Sequence, residues 1–244
     1  MDQAKIRMNK TVVVIPTYNE VENIAPLIEE IAAQPVPDLK ILVVDDNSPD
    51  GTGDLVRSIC ADDPRVSLLL RKSDRGRGHA GREGFIKALE MGADRIVEMD
   101  GDRSHDPGYI PRLLEESREA DVVIGSRFIP GGEAVGRGRS RDFISYLARG
   151  YLRSVLGIPV SDPTSGYRIF TRRALEAIDP ESLRSPDPFI VTEVLYRCRR
   201  QGLKINEVPI VFRDRIRGKS KLKASTLLKY IYRVWKLKLT RRKS

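Results

Sequence analysis

The residues Ile96-Val97-Glu98-Met99-Asp100-Gly101-Asp102 place two carboxylates, two positions apart, where an apolar run ends. Hard oxygen ligands in that arrangement suit Mg²⁺ or Mn²⁺, and Mg²⁺ in particular is commonly held by one or two carboxylates plus substrate phosphates. Asp100 and Asp102 are therefore candidate metal ligands, with the missing ligands supplied by a nucleoside diphosphate. Read alone, the pair is a weak signal, because acidic pairs at strand ends more often solvate a turn or cap the next helix. Arginine is the second chemical signal. Arg127, Arg141 and Arg215 each lie close to a Gly or Ser loop at the expected end of an element, and the planar fork of arginine fits phosphate in a bidentate manner. Together with a metal site they suggest two phosphate groups, one on each of two substrates.

Other chemistries lose support. Gly76-Arg77-Gly78-His79-Ala80-Gly81 fits the dinucleotide pattern G-x-G-x-x-G, but the charged segment Arg71 to Arg75 separates it from the preceding apolar run. A dinucleotide fingerprint needs a tight turn directly off the first strand. The segment reads instead as a flexible, backbone-exposing loop beside phosphates. His79 and His105 lack a second histidine at helical ligand spacing and are expected to make ordinary hydrogen bonds. No nucleophile elbow, H-E-x-x-H or complete Walker A occurs.

These residues need a scaffold, and the periodicity supplies one. Apolar runs at Val12 to Ile15, Ile41 to Val44, Val66 to Leu70, Ile96 to Met99 and Val122 to Ile124 alternate with amphipathic stretches. That is the rhythm of an α/β fold with a mainly parallel sheet flanked by helices, and ligands are expected at the carboxyl ends of the strands. A last strand is expected around Ile205 to Phe212, and a helix carries Ile144, Leu147, Ala148, Tyr151, Leu152, Val155 and Leu156. The 244 residues, 40% of them hydrophobic, suffice for one sizeable core, here expected over residues 1–218, followed by a basic amphipathic helix or tail over 219–244.

The net charge of +9 sits in that tail. Ten Lys or Arg and no Asp or Glu occur from Lys219 to Ser244, and taking them from the total leaves about −1 for the body. Leu227, Leu228, Ile231, Val234 and Trp235 fall on one helical face, with Lys229, Arg233 and Lys236 opposite, the pattern of an interfacial helix. Nucleic acid is not expected as a partner: aromatic content is 6% and no stacking-type RNA motif is evident. Cys60 and Cys198 show no paired spacing, Met1 to Lys10 lack a signal-peptide core, and no stretch of about 18 apolar residues spans a bilayer. The expected setting is cytoplasmic and reducing.

Taken in order, Val14-Ile15-Pro16-Thr17-Tyr18-Asn19-Glu20, Val43-Val44-Asp45-Asp46-Asn47-Ser48-Pro49-Asp50-Gly51-Thr52, Met99-Asp100-Gly101-Asp102-Arg103-Ser104-His105-Asp106-Pro107, Gly125-Ser126-Arg127 and Ser161-Asp162-Pro163-Thr164-Ser165-Gly166-Tyr167-Arg168 resemble the dolichol-phosphate (polyprenol-phosphate) mannose synthases, inverting GT-A glycosyltransferases of family 2. The resemblance covers roughly residues 11 to 222, and Arg75 to Gly81 resembles a glycine loop of that family. It implies a GT-A, Rossmann-like fold and transfer of mannose from GDP-mannose to dolichyl or polyprenyl phosphate. By it, Pro16, Tyr18, Glu20, Val44 and Asp46 form the nucleotide pocket, while Asp100, Gly101, Asp102 and Ser104 lie at the diphosphate and metal. Ser104 stands where some members have Gln, which points to a water between it and the metal. Gly101 replaces a common Ala. Arg127 and Arg141 correspond to a clamp on the acceptor phosphate, and Arg215 and Lys221 to a C-terminal loop that closes over the donor.

Members often carry a longer C-terminal membrane region, whereas this sequence stops after one basic helix. The enzyme is therefore expected on the cytoplasmic face of the membrane, held peripherally or through an anchoring partner subunit. A lipid monophosphate is already anionic near neutral pH, so desolvation and positioning replace a general base. Asp102 then acts as a ligand rather than as an acid or base. Three alternatives stay open at this level: another polyprenyl-phosphate glycosyltransferase using UDP-glucose or a related donor, a non-catalytic nucleotide-sugar scaffold, and an RNA-binding module driven by the tail.

Overall fold

The structure is a computed structural model that describes residues 10–136, 139–213 and 224–240, and within these the side chains of all but 139–144 and 224–228. Its elements follow in chain order: β1 (Thr11–Thr17), α1 (Val21–Ala32), β2 (Leu39–Asp45), α2 (Thr52–Asp62), β3 (Val66–Leu70), α3 (Arg77–Glu90), β4 (Arg95–Glu98), α4 (Ile110–Glu116), β5 (Val122–Ser126), β6 (Glu133–Val135), α5 (Arg139–Leu156), β7 (Arg168–Thr171), α6 (Arg172–Ile178), α7 (Ile190–Arg200), β8 (Ile205–Pro209), β9 (Val211–Arg213) and α8 (Ala224–Leu239).

Among the described residues, seven strands form one sheet in the order β3-β2-β1-β4-β7-β5-β8, and β6 and β9 pair separately. The strand period of two divides the core. Val12 and Val14 face one layer with Leu42, Val44 and Ile96, while Val13 and Ile15 face the other with Ile41, Val43 and Val97. Helices cover both faces, which is why these strands read as continuous apolar runs rather than alternating ones. Between β1 and β4 the order of connection reverses, so the two chains leaving those strands part and open a crevice at their carboxyl ends. Pro16 to Glu20 and Asp100 to Ser104 border that crevice.

The expected parallel strands all form, with one exception to the parallel reading. β7 lies antiparallel between β4 and β5, pairing Glu98 with Arg168 and Val123 with Ile169. Four residues that begin with an arginine gave no strand signal. Arg168 is nevertheless fully buried, and its guanidinium donates to the carbonyls of Ser165 (2.6 Å), Val191 (2.7 Å) and Pro163 (3.3 Å). A buried charge is tolerated when its donors are all answered, and here the answer ties the 163–165 loop to α7. The single strand expected over Ile205 to Phe212 is two, because after Ile210 the chain leaves the main sheet to pair Val211 with Glu133.

The C-terminal helix departs from the face assignment made on its sequence. Val234 is fully buried in the core, Tyr230 donates or accepts a 3.0 Å hydrogen bond with Thr192 and meets Phe189 edge to face, and Arg233 pairs with Asp187. Val234 and Arg233 therefore face the domain. Tyr232, Trp235 and Leu239 point away from it, at 66%, 44% and 72% exposure. The helix has two apolar stripes, and a single hydrophobic-moment direction cannot represent both. Among the described residues no helix is long and apolar enough to cross a membrane.

α3 packs on β1 and β2 through Gly84, where a Cβ would stand 2.4 Å from Val14 Cγ1 and 3.2 Å from Val44 Cγ2. Alanine gains about 1 kcal/mol of helix propensity over glycine, but overpacking a buried strand costs about 1–3 kcal/mol. Gly84→Ala is expected to lower the melting temperature by a few degrees in a thermal scan, at about 2–4 °C per kcal/mol for a chain of this size. An increase would show that β1 yields to the extra methyl group.

Candidate functional site

The site grows from the loops that follow β1, β2 and β4. Asp45, fully buried at the end of β2, accepts from Thr17 Oγ1 (2.9 Å) through Oδ1 and from Ser48 Oγ (2.6 Å) and Ser48 N–H (2.9 Å). Asp50 accepts from Val21 N–H (3.1 Å) and from the N–H and hydroxyl of Thr52 (3.0 and 2.6 Å), and Thr52 Oγ1 in turn accepts from Glu20 N–H (3.0 Å). Burial would raise the Asp50 pKa, but these donors from Thr52 and Val21 leave it lowered. The two loops are thus one hydrogen-bonded unit. Asn19, Asn47 and Arg103 adopt φ of 60°, 52° and 61° in the loops after β1, β2 and β4. Left-handed backbone is uncommon outside glycine, and its clustering at one end of the sheet marks a site held against local preference.

Within this frame the expected nucleotide residues part company. Pro16 is partly exposed and Tyr18 about half exposed at the crevice, and Glu20 accepts from Asn23 Nδ2 at 2.8 Å. Asp46 is buried, with Oδ1 paired to Arg71 and Oδ2 accepting from Gly76 N–H at 2.7 Å. Each carboxylate oxygen can accept more than one hydrogen bond, so it keeps capacity for a ligand. Val44 does not line the pocket with its side chain, which lies fully buried under α3. The alternation that faces its neighbour Asp45 toward the loop turns Val44 into the core.

The glycine segment is also corrected. It is not a flexible loop: α3 begins at Arg77, and Gly78 N–H donates to Pro186 O at 3.0 Å. A Cβ on Gly78 would fall 2.0 Å from Ser185 O, and one on Gly76 would fall 2.3 Å from Pro186 O. These glycines admit the 185–187 backbone to the helix start, a requirement that the spacing alone does not reveal.

At the acidic pair, Asp100 N–H donates to His105 Nδ1 at 3.1 Å, Asp102 Oδ1 accepts from Ser104 N–H at 3.0 Å, and Asp100 Oδ1 lies 3.3 Å from Arg77 Nη2. Burial pushes the His105 imidazole below its ordinary pKa against the pull of Asp100 and Asp102, and it stacks on Tyr167 with ring centroids 5.0 Å apart. His105 thus makes the ordinary hydrogen bond expected of it. Gly101 packs on the end of β1, where a Cβ would meet Thr17 Cγ2 at 3.0 Å, and a Cβ on Gly166 would stand 3.2 Å from Asp100 Oδ2. The Ser104 hydroxyl oxygen is buried and has no hydrogen-bond partner among the described residues. Among the described residues no group of three or more His, Cys, Asp or Glu is gathered for a metal. Two carboxylates and a buried, unanswered hydroxyl form an all-oxygen donor set that suits a hard divalent cation whose coordination a diphosphate completes.

Arg127 sits on the other side of the crevice in an arrangement that differs from an open phosphate fork. Its Nε and Nη2 donate to Asp162 Oδ2 and Oδ1, both at 2.7 Å, Nη2 also reaches Thr164 Oγ1 at 2.9 Å, and Phe128 and Phe212 flank the guanidinium at 5.1 and 5.0 Å. The bidentate edge is therefore filled by Asp162, and a phosphate arriving at Arg127 must use its other edge or displace that carboxylate. Burial would raise the Asp162 pKa, but the Arg127 fork and its N–H pull it below the ordinary value. The backbone of Arg141 lies in the first turn of α5, and its side chain is outside the described residues, as are Arg215 and Lys221. Asp162, Arg77 and Glu98 were assigned no role from sequence. Asp162 lies within a quoted motif, but nothing in a string of letters pairs it with a residue 35 positions away.

Known proteins align with this chain over nearly its whole length. Residues 12–179 match Glycosyl transferase family 2. Undecaprenyl-phosphate mannosyltransferase of Micrococcus luteus is 44% identical over 213 residues, 87% of each protein. Polyprenol monophosphomannose synthase of Mycolicibacterium smegmatis is 40% identical over 236 residues, 96% of this chain and 89% of that protein. Dolichol-phosphate mannosyltransferase of Pyrococcus furiosus is 34% identical across 93% of this chain and 63% of its own length. Among solved structures, glucosyl-3-phosphoglycerate synthase from Mycobacterium tuberculosis in complex with Mn²⁺, UDP and glucosyl-3-phosphoglycerate superposes with a TM-score of 0.67 at 20% identity, over 95% of this chain and 79% of that one. The last likeness concerns the fold.

Arg127→Met leaves the fully buried Asp162 charged and without its fork. Breaking a buried pair in this way costs about 3–5 kcal/mol, so the melting temperature at pH 7 is expected to fall by roughly 6–20 °C. The contribution of a carboxylate with a depressed folded pKa is complete above its unfolded value, ordinarily 3.8, and is lost as the pH falls through the folded value. The deficit of Arg127→Met should therefore shrink as the pH is lowered from 7 toward 3. A deficit constant over that range in differential scanning calorimetry would show that a different contact had been broken.

Proposed function

The chain belongs to glycosyltransferase family 2, and we propose that it transfers mannose from GDP-mannose to the phosphate of a polyprenyl or dolichyl lipid, with inversion at the anomeric carbon. The named mannosyltransferases at 44% and 40% identity support the sugar and the lipid-phosphate acceptor. The observation on which the site reading rests is the acidic pair Asp100 and Asp102 at the β1–β4 crevice, with the unanswered Ser104 hydroxyl beside it.

In this reading Pro16, Tyr18, Glu20 and Asp46 receive the nucleoside, while Asp100, Gly101, Asp102 and Ser104 face its diphosphate. Asp100 and Asp102 hold Mg²⁺ or Mn²⁺, which when bound neutralises charge gathering on the departing diphosphate. Arg215 and Lys221 close over the donor. Arg127, steadied by Asp162, and Arg141 orient the acceptor phosphate. One acceptor oxygen forms the new bond to the anomeric carbon as the bond to the diphosphate breaks on the opposite face. Because the attacking oxygen is anionic already, no proton has to be removed, and what the protein contributes is alignment.

A lipid acceptor calls for a membrane surface, and in this reading the enzyme works at its cytoplasmic face, either unaided or with an anchoring subunit. Tyr232, Trp235 and Leu239 form an outward apolar stripe on α8, flanked by Lys229, Lys236 and Lys238. Tyr146 and Leu147 of α5 are likewise exposed, and α5 packs on α8. Aromatic and aliphatic side chains bordered by lysine suit the headgroup boundary, where each basic residue near anionic lipid contributes about 1 kcal/mol.

A panel of GDP-mannose, UDP-glucose and UDP-N-acetylglucosamine against a short polyprenyl phosphate, with Mg²⁺ or Mn²⁺, tests the activity, the donor and the metal together. Product with GDP-mannose alone is the expected outcome, and product only with a uridine donor would replace the proposed nucleotide. Asp102→Asn is expected to lower turnover at limiting metal by at least about tenfold, or about 1.4 kcal/mol, with unchanged circular dichroism. Wild-type rates in that variant would remove Asp102 from the site. Replacing Tyr232, Trp235 and Leu239 together with Ser should weaken sedimentation with anionic vesicles and reduce activity on long-chain lipid phosphate, while GDP-mannose affinity persists. Vesicle binding equal to wild type would locate membrane contact elsewhere.

A further inference from the structure

Arg77 is placed where a cation is disfavoured. It is the first residue of α3, at the end of the helix that carries partial positive charge. The sequence nevertheless encloses it: its side chain is 21% exposed, and Nη1 donates to Glu98 Oε1 at 2.6 Å. Glu98 explains this. Its own side chain is 3% exposed at the end of β4, and a buried carboxylate needs an answering charge. Space for the pair comes from Gly81, one turn along α3, where a Cβ would lie 3.0 Å from Arg77 Nη1 and 3.4 Å from Glu98 Oε1.

Once Glu98 fixes one nitrogen of the guanidinium, the other is held 3.3 Å from Asp100 Oδ1. Arg77 thus couples a carboxylate that has no route to the substrates with one assigned to the metal. An arginine guanidinium stays cationic at every working pH. A divalent cation approaching Asp100 on its own meets a positive charge already in place. A cation that arrives with a nucleoside diphosphate brings enough negative charge to satisfy both.

Building on the metal site proposed above, we propose that Arg77 is a resident counter-cation of Asp100 that makes binding of the divalent metal depend on the nucleoside diphosphate. It is a positioning residue acting through Asp100. Coupling of this kind is reciprocal: the metal must strengthen nucleotide binding by the factor by which the nucleotide strengthens metal binding.

The test removes the pair as a unit. In Arg77→Met/Glu98→Leu two apolar side chains fill the space, a replacement that is often neutral or stabilising for a buried ion pair. Arg77→Lys offers a second variant, since one ammonium cannot span both carboxylates as the fork does. Mn²⁺ affinity is measured on the purified protein by the loss of the free-ion electron paramagnetic resonance signal, without and with GDP, after correction for Mn²⁺ bound to free GDP. The double variant is expected to bind Mn²⁺ alone at least tenfold more tightly than wild type, with Arg77→Lys between them. The strengthening by GDP should be largest in wild type. Equal Mn²⁺ affinities without GDP overturn the role of Arg77 and leave the metal site standing. Absence of Mn²⁺ binding by all three proteins, with and without GDP, overturns the metal site itself and this proposal with it.

Discussion

Carboxylates at the ends of buried strands must each be answered, and most of the site's architecture follows from that constraint. A parallel sheet covered on both faces delivers its loops into a crevice with low-dielectric walls, where an unpaired charge is costly. Asp45 is met by Thr17 and Ser48, Asp46 by Arg71 and Gly76 N–H, Glu98 by Arg77 and Asp162 by Arg127. Glu207 accepts from the N–H groups of Ser161 and Asp162. Apart from Ser48, three residues beyond Asp45, these answers join segments far apart in the chain. The pairs that neutralise charge are therefore the same contacts that fix the loops to one another.

What was legible in the sequence was local. The apolar runs of β1 to β5 were readable because each is long, almost wholly apolar and followed by a turn, and the ordered motifs at their ends located the crevice. β7 was not legible, since Arg168 at its start contradicts a strand reading until the carbonyls of residues 163, 165 and 191 are seen to surround it. The glycines of 76–81 suggested loop freedom, whereas their cause is the approach of the 185–187 backbone to a helix start. In α8 the helical wheel offered one apolar face. Packing against α5 and α7 divides it into an inner stripe with Val234 and an outer one with Trp235.

The arginines show the same limit in the part of the site that matters for chemistry. Residue type and loop position marked Arg127 as a phosphate ligand, and they could not reveal that Asp162 already fills the bidentate edge of its fork. An arginine held in this way is less adaptable and better aimed. The entropy of ordering a long side chain is spent during folding rather than at binding, which is the physical content of preorganisation. The flanking rings of Phe128 and Phe212 act in the same direction, because they restrict the plane of the guanidinium.

A division of labour between the two sides of the crevice follows. Around β1, β2 and β4 the side proposed to receive the donor is cross-linked by hydrogen bonds and carries left-handed backbone at Asn19, Asn47 and Arg103. The side proposed to receive the acceptor comprises β5, the 161–166 loop and the start of α5, and it is connected through Arg149, stacked 3.7 Å over Phe128, to the outer residues Tyr146 and Leu147 of α5, which are exposed. In the proposed reaction a lipid phosphate enters from a surface while a nucleotide sugar enters from solution. Under the proposed function, cross-linked loops on one side of the crevice and exposed apolar helices joined to the other meet both requirements in one fold, and Phe212, which touches both Arg127 and His105, links the two sides.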